Sequence, residues 1–213
     1  NLDNEYYSTF ENEMKDGYSG KVKVLWLNGY GKNKKTAKLF SNNNFRRALN
    51  AAINRQGIVD SIDSADIPMN RAIAPIFTVD FEPETVNING DKELAQEYLD
   101  KALEELGYKS ASDLPKIRFV TYADDSQKTE CELLIETWQE ALGIKNIELE
   151  SYNVGTAIDK LFAGDYDIFS IQIESNVRPT DMMESVAKGN VYDFGVLKND
   201  YDFQRFLLRG KTK

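Results

Sequence analysis

The chain has 213 residues, 41% hydrophobic and 29% charged, with 26 Lys and Arg against 35 Asp and Glu, a net charge of −9 and no histidine. This length can bury a proper core as one large domain or two small ones. The acidic balance argues against a nucleic-acid partner, and no run approaches the ~18 apolar residues of a membrane span. Without histidine, Ser-His-Asp and Cys-His catalysis, histidine-ligated zinc and the commonest general base are all removed. The single Cys131 excludes an internal disulfide and reads as a buried structural thiol. The acidity suits a soluble protein of a secreted or surface environment. A start at Asn1 rather than Met, and an end at 209–213 (RGKTK) without obvious closure, suggest a processed or excised chain.

Residues 1–16 read as an amphipathic helix, with Leu2, Tyr6, Phe10 and Met14 recurring every four residues, broken by Gly17 and Gly20. Val22, Val24 and Trp26 alternate with Lys21, Lys23 and Leu25, the pattern of a strand with one buried face. The next stretch, through Gly29, Gly31 and the lysines to Lys38, reads as a loop. Its G-x-G lacks the third glycine of a nucleotide fingerprint. Phe45, Ala48, Leu49, Ala52 and Ile53 then mark a helix that Asn42, Asn43 or Asn44 can cap, with Arg46, Arg47 and Asn50 on its other face. A second short helix follows at 58–62. Pro68, Pro75 and Pro83 make 67–89 a long extended excursion.

From Asp91 the pattern becomes regular. Leu94, Ala95, Tyr98, Leu99, Ala102, Leu103 and Leu106 form a helical stripe closed by Gly107. A strand at 117–122 precedes a helix capped by Ser126, with Cys131, Leu134, Ile135, Trp138 and Leu142 inward and Gly143 as its stop. Ile147, Leu149 and Ser151 alternate in another strand. A short helix at 156–163 ends at Gly164, and 168–173 (IFSIQI) has the β-branched and aromatic content of a buried strand. Its polar continuation, Glu174, Ser175, Asn176, Val177 and Arg178, is stopped by Pro179. Alternating strands and helices predict an α/β fold with a mixed or largely parallel sheet flanked by helices.

In an open α/β sheet ligands sit beyond the carboxyl ends of strands, so the rim after 168–173 is the first place for a site. A solvated loop is the simpler account of that stretch taken alone. Asp124 and Asp125 follow a strand and read either as a carboxylate site or, more simply, as an acidic cluster at a helix N-terminus. Asp165 and Asp167 have the spacing of metal-loop residues, but the twelve-residue calcium pattern is missing and turn formation explains them. Trp26 and Tyr122 are either core aromatics or pocket walls. Neither a cofactor nor a metal site is implied.

The order of these segments resembles the extracellular solute-binding proteins of family 5, the oligopeptide- and dipeptide-binding components of ABC importers. The likeness is carried by 22–28 (VKVLWLN), 45–59 (FRRALNAAINRQGIV), 91–102 (DKELAQEYLDKA) and 133–164, with its WQEALGIKNIELE and LFAGDYDI. Pro179 and the Asn199-Asp200-Tyr201-Asp202 segment continue it. The resemblance implies that 1–213 is a single α/β lobe, the second lobe of a two-lobed, class II periplasmic-binding-protein-like architecture and a fragment of a larger receptor. It further implies a lipid-anchored protein on the extracellular face of the membrane, or a periplasmic one. Such a protein clamps a peptide or other small solute between lobes, without catalysis or nucleic acid, as a monomer that delivers to importer membrane subunits.

By the same resemblance, ligand contacts fall on Val24 and Trp26 and on 172–176, with Gln172, Glu174, Ser175 and Asn176 supplying polar groups or charge; Tyr122, by its place at a strand end, is a further candidate wall. Counting back from Pro179, the family's ammonium-binding Asp falls on Ser175, with Glu174 beside it. A free α-ammonium would lack its ion pair there, and an unpaired charge is costly to bury. Two other readings compete: a carboxylate-based hydrolase using Asp124 and Glu174, and a surface peptide-sensing module that signals.

Overall fold

The computed structural model describes residues 21–62, 64, 66–70 and 85–174, with Ile173 and Glu174 described as backbone. The expected helix at 1–16, most of the proline-rich excursion, and everything from Ser175 onward lie outside the described residues.

Four strands form one sheet: β1 (Lys21–Leu27), β2 (Ile117–Tyr122), β3 (Ile147–Tyr152) and β4 (Ile168–Glu174), in the spatial order β1-β4-β2-β3. β2 runs parallel to both β3 and β4, and β1 runs antiparallel to β4, so the sheet is mixed. The antiparallel strand is the one most distant in sequence from its neighbour. No crossover helix links it to β4, so the βαβ handedness that makes the other three parallel does not constrain it.

The helices are α1 (Lys34–Ser41), α2 (Asn43–Ala52), α3 (Arg55–Ser61), α4 (Lys92–Leu106), α5 (Asp125–Leu142) and α6 (Val154–Ala163). α1 occupies a stretch that reads as loop by its lysines. Asn33 caps it by accepting from the Lys35 amide, and Thr36, Ala37, Leu39 and Phe40 form a buried face beneath the charged one. Asn42 caps α2. Asp124, rather than Ser126, caps α5, accepting from the Gln127 amide at 3.0 Å. The three later helices close on glycines in the left-handed region, Gly107 at φ 79°, Gly143 at 68° and Gly164 at 63°.

Two cores lie on opposite faces of the sheet. α2, α4 and α5 cover one face, burying Phe45, Leu49, Leu99, Phe119, Trp138 and Ile168. A fully buried side chain such as Phe119 is worth about 1.5–3 kcal/mol relative to exposure. The Trp138 indole N–H there donates to the Leu49 carbonyl at 3.0 Å, which removes the usual cost of burying a polar atom. α6 covers the other face over β2 and β3, with Val120, Ala157, Leu161, Tyr166, Phe169 and Ile171 at its centre. β1 is therefore covered on both faces rather than one. Val24 and Trp26 pack on the second core, Leu25 and Leu27 on the first. Cys131 is buried in the first core, and burial pushes its thiol up to about 11.

Candidate functional site

Because β2, β3 and β4 are parallel, their carboxyl ends share one edge of the sheet, joined there by the amino end of β1. The strand register divides the expected site residues between two faces. Val24 lies opposite Ile171 and Trp26 opposite Phe169, so these pairs share the α6 face. Tyr122 joins them, its ring edge-on to Phe169 with centroids 5.8 Å apart. The three are half-buried against the second core, a wall of two aromatics and a valine around Phe169 and Ile171.

Gln172 takes the other face. It is exposed and lies opposite Lys23. The Lys23 ammonium is held by Asp66 and Glu130, each at 2.7 Å. Burial works to lower the lysine, but the bonds from Asp66 and Glu130 outweigh it and hold it above its usual range. Lys23 thus ties β1 to α5 and to the start of the excursion beside the rim. Sequence reasoning missed this trio. The available signal was a lysine in phase with Leu25 and Leu27, on a strand face that turns out to be covered. Glu174 pairs with Lys21 at the end of the β1–β4 ladder. Ser175 and Asn176 lie outside the described residues.

Asp124 spends its carboxylate on the Gln127 amide as the α5 cap, which is the role the dipole argument favours for it. Asp165 and Asp167 are not paired towards a common ion. Asp165 meets the Arg118 guanidinium at 2.7 Å and the Lys160 ammonium at 3.0 Å, and Arg118, then Lys160, hold it down to about 2. Asp167 is buried, accepting from the Thr36 hydroxyl at 2.5 Å and the Arg118 amide at 2.8 Å. Asn28, also buried, donates to the Tyr166 and Gly164 carbonyls at 2.9 and 3.3 Å. The turn before β4 is therefore bolted to β1, α1 and β2, which fixes where β4 emerges at the rim. Among the described residues no group of three or more His, Cys, Asp or Glu is placed to hold a metal ion, and no helix is long and apolar enough to cross a membrane.

The sheet is mixed, helices cover both its faces, and an aromatic wall on the α6 face stands beside the strand that carries Gln172 and Glu174. The model of the bacterial extracellular solute-binding proteins, family 5 (middle region), matches residues 2–191, and the chain belongs to that family. The chain is 34% identical over 134 residues to the oligopeptide-binding protein OppA of Bacillus subtilis, covering 62% of this chain and 24% of that one. Among solved structures, Listeria monocytogenes OppA bound to peptide superposes with a TM-score of 0.67 at 18% identity, over 89% of this chain and 38% of that one. The Borrelia burgdorferi oligopeptide-binding protein OppAIV gives 0.66 at 22% identity, over 81% and 32%. The chain thus spans about a quarter of the curated relative and about a third of these solved chains.

Proposed function

We propose that this chain is one lobe of the substrate-binding component of an ABC importer and takes peptides in a cleft between itself and a second lobe. It would act without catalysis, outside the cell and tethered to the membrane by lipid. The observation that carries the reading is the wall of Val24, Trp26 and Tyr122 around Phe169 and Ile171 on the α6 face of the sheet, in a chain of the solute-binding family. Supporting it are the oligopeptide-binding relative and the peptide-bound neighbour. Gln172, Glu174, Ser175 and Asn176 would supply the polar contacts, and Lys23 would hold the rim in place. With Asp124 committed as a helix cap, the two-carboxylate hydrolase has the weaker support.

The test is isothermal titration of the complete protein with a pool of short peptides, followed by mass spectrometry of what is retained. Recovered peptides are expected, with Tyr122→Ala and Trp26→Ala each weakening binding about tenfold, the order of one buried aromatic contact. Turnover of any peptide, or no peptide retained, would sink the reading.

A further inference from the structure

Charge along this chain is not evenly mixed. Between Asp16 and Asp60 there are nine Lys and Arg and not one Asp or Glu, although the whole chain carries a net charge of −9. The fold gathers much of this at one place. Lys32, Lys34, Lys35 and Lys38 are all exposed on α1 and the turn before it, while Thr36, Ala37, Leu39 and Phe40 face inward. Tyr30, 51% exposed, stands beside them, close enough for its phenol to act on the Arg46 guanidinium. None of the four lysines forms an ion pair among the described residues.

This surface lies at the carboxyl end of β1, which is the amino edge of β2, β3 and β4, away from Gln172 and Glu174. The two carboxylates that the turn before β4 brings to this end are already taken. Asp165 is held by Arg118 and Lys160, Asp167 by Thr36 and the Arg118 amide. An ordinary solvated face mixes signs, as α5 does with Lys128 facing Glu132.

From this geometry we infer that the α1 surface docks the protein on an anionic lipid surface. The type of cation favours lipid over an acidic protein patch. The arginines nearby, whose planar forks suit shaped carboxylate partners, have internal work: Arg46 donates to the Phe40 carbonyl, Arg55 to the Asn50 and Ile53 carbonyls, and Arg47 stacks over Tyr98. What is left free is lysine, a point charge on a flexible stem, which gains from a diffuse negative sheet without needing a matching groove. An exposed tyrosine at the margin suits the headgroup layer.

The test is co-sedimentation of the complete protein, prepared without attached lipid, with vesicles of phosphatidylcholine, with and without phosphatidylglycerol, at low and high salt. Binding is expected only with the anionic lipid, and it falls as salt rises. Replacing Lys32, Lys34, Lys35 and Lys38 by Gln should weaken it by roughly 600-fold at most, since each lysine near such a surface contributes about fivefold. Lys92, Lys101, Lys109 and Lys128, exposed elsewhere, serve as the charge-matched control, and changing them to Gln should leave binding within about twofold. Equal loss in both quadruple variants would reduce the effect to net charge and overturn the proposal. So would absence of binding to the anionic vesicles, or equally tight binding of soluble polyglutamate. Peptide binding is not read in this assay, so its outcome is independent of the transport reading.

Discussion

Asn28 shows how one side chain can secure a fold. It is only 5% exposed, and its amide group donates to two carbonyls while its Oδ1 accepts from the Tyr30 amide at 3.1 Å. Replacing it by Ala would strand the Tyr166 carbonyl in a buried setting, costing about 1–3 kcal/mol. Asn28→Asp should cost more, because a carboxylate has no proton to give the two carbonyls and would itself be buried as a charge. Urea unfolding of both variants checks the order; an Asp variant as stable as the Ala variant would refute the account. In the sequence Asn28 is visible as the residue that ends a strand. What it bonds to is not, since its partners stand more than a hundred residues away at Gly164 and Tyr166. The same holds for Thr36 and Asp167. Local pattern carries no information about a contact that exists only after the sheet has formed.

At the level of elements, the helices were legible where apolar spacing was regular and capped, as in α2, α4 and α5. α1 was obscured because lysines fill three of its eight positions and two of its four inward residues, Thr36 and Ala37, are only weakly apolar. The cap of α5 was misplaced by two residues, Asp and Ser being comparable caps. β1 shows the complementary difficulty. Its alternation predicts one buried face, yet an edge strand with cores on both sides needs Leu25 and Leu27 as well as Val24 and Trp26.

The ion network across the α6 face makes stability depend on pH. Arg118 on β2 meets Glu150 on β3 at 2.8 Å and Asp165 at 2.7 Å, and Lys160 on α6 closes the group. Asp165 is held at about 2, below its ordinary 3.8. Its contribution is therefore complete above about pH 4 and is lost as pH falls through the folded value. The Asp165 side chain is 38% exposed, so the contribution is small, on the order of 0.5 kcal/mol. Asp165→Asn should be the less stable protein at pH 7, and the gap should close towards pH 2. A gap in urea midpoint that stays constant across that range would refute it. Glu150, lowered by the same guanidinium, keeps Arg118 anchored in the variant.

For the whole molecule, the described residues pack as helices on both faces of one sheet, with Cys131 sealed in the larger core. Thiolate formation is suppressed there by burial, so the thiol can react only when that core opens. Labelling by a thiol reagent at pH 8 should be slow in the native protein and rise at least a hundredfold in denaturant. Fast native labelling would mean the core opens locally around α5. The class of fold was readable from alternating elements, because each βα unit is assembled from neighbours in sequence. The antiparallel join of β1 was not, and neither was the division of Gln172 from Trp26 across the sheet, since both depend on register.

That join has a consequence for how the protein is made. β1 leaves the ribosome first, but the strand it zips against, from Leu27 opposite Ile168 to Lys21 opposite Glu174, follows roughly 140 residues later, a delay of about 7–30 s at ordinary synthesis rates. Through that interval Val22, Val24 and Trp26 have no ladder to join, and the sheet cannot be completed from local contacts. The strand that begins the sheet is the one that postpones its closure.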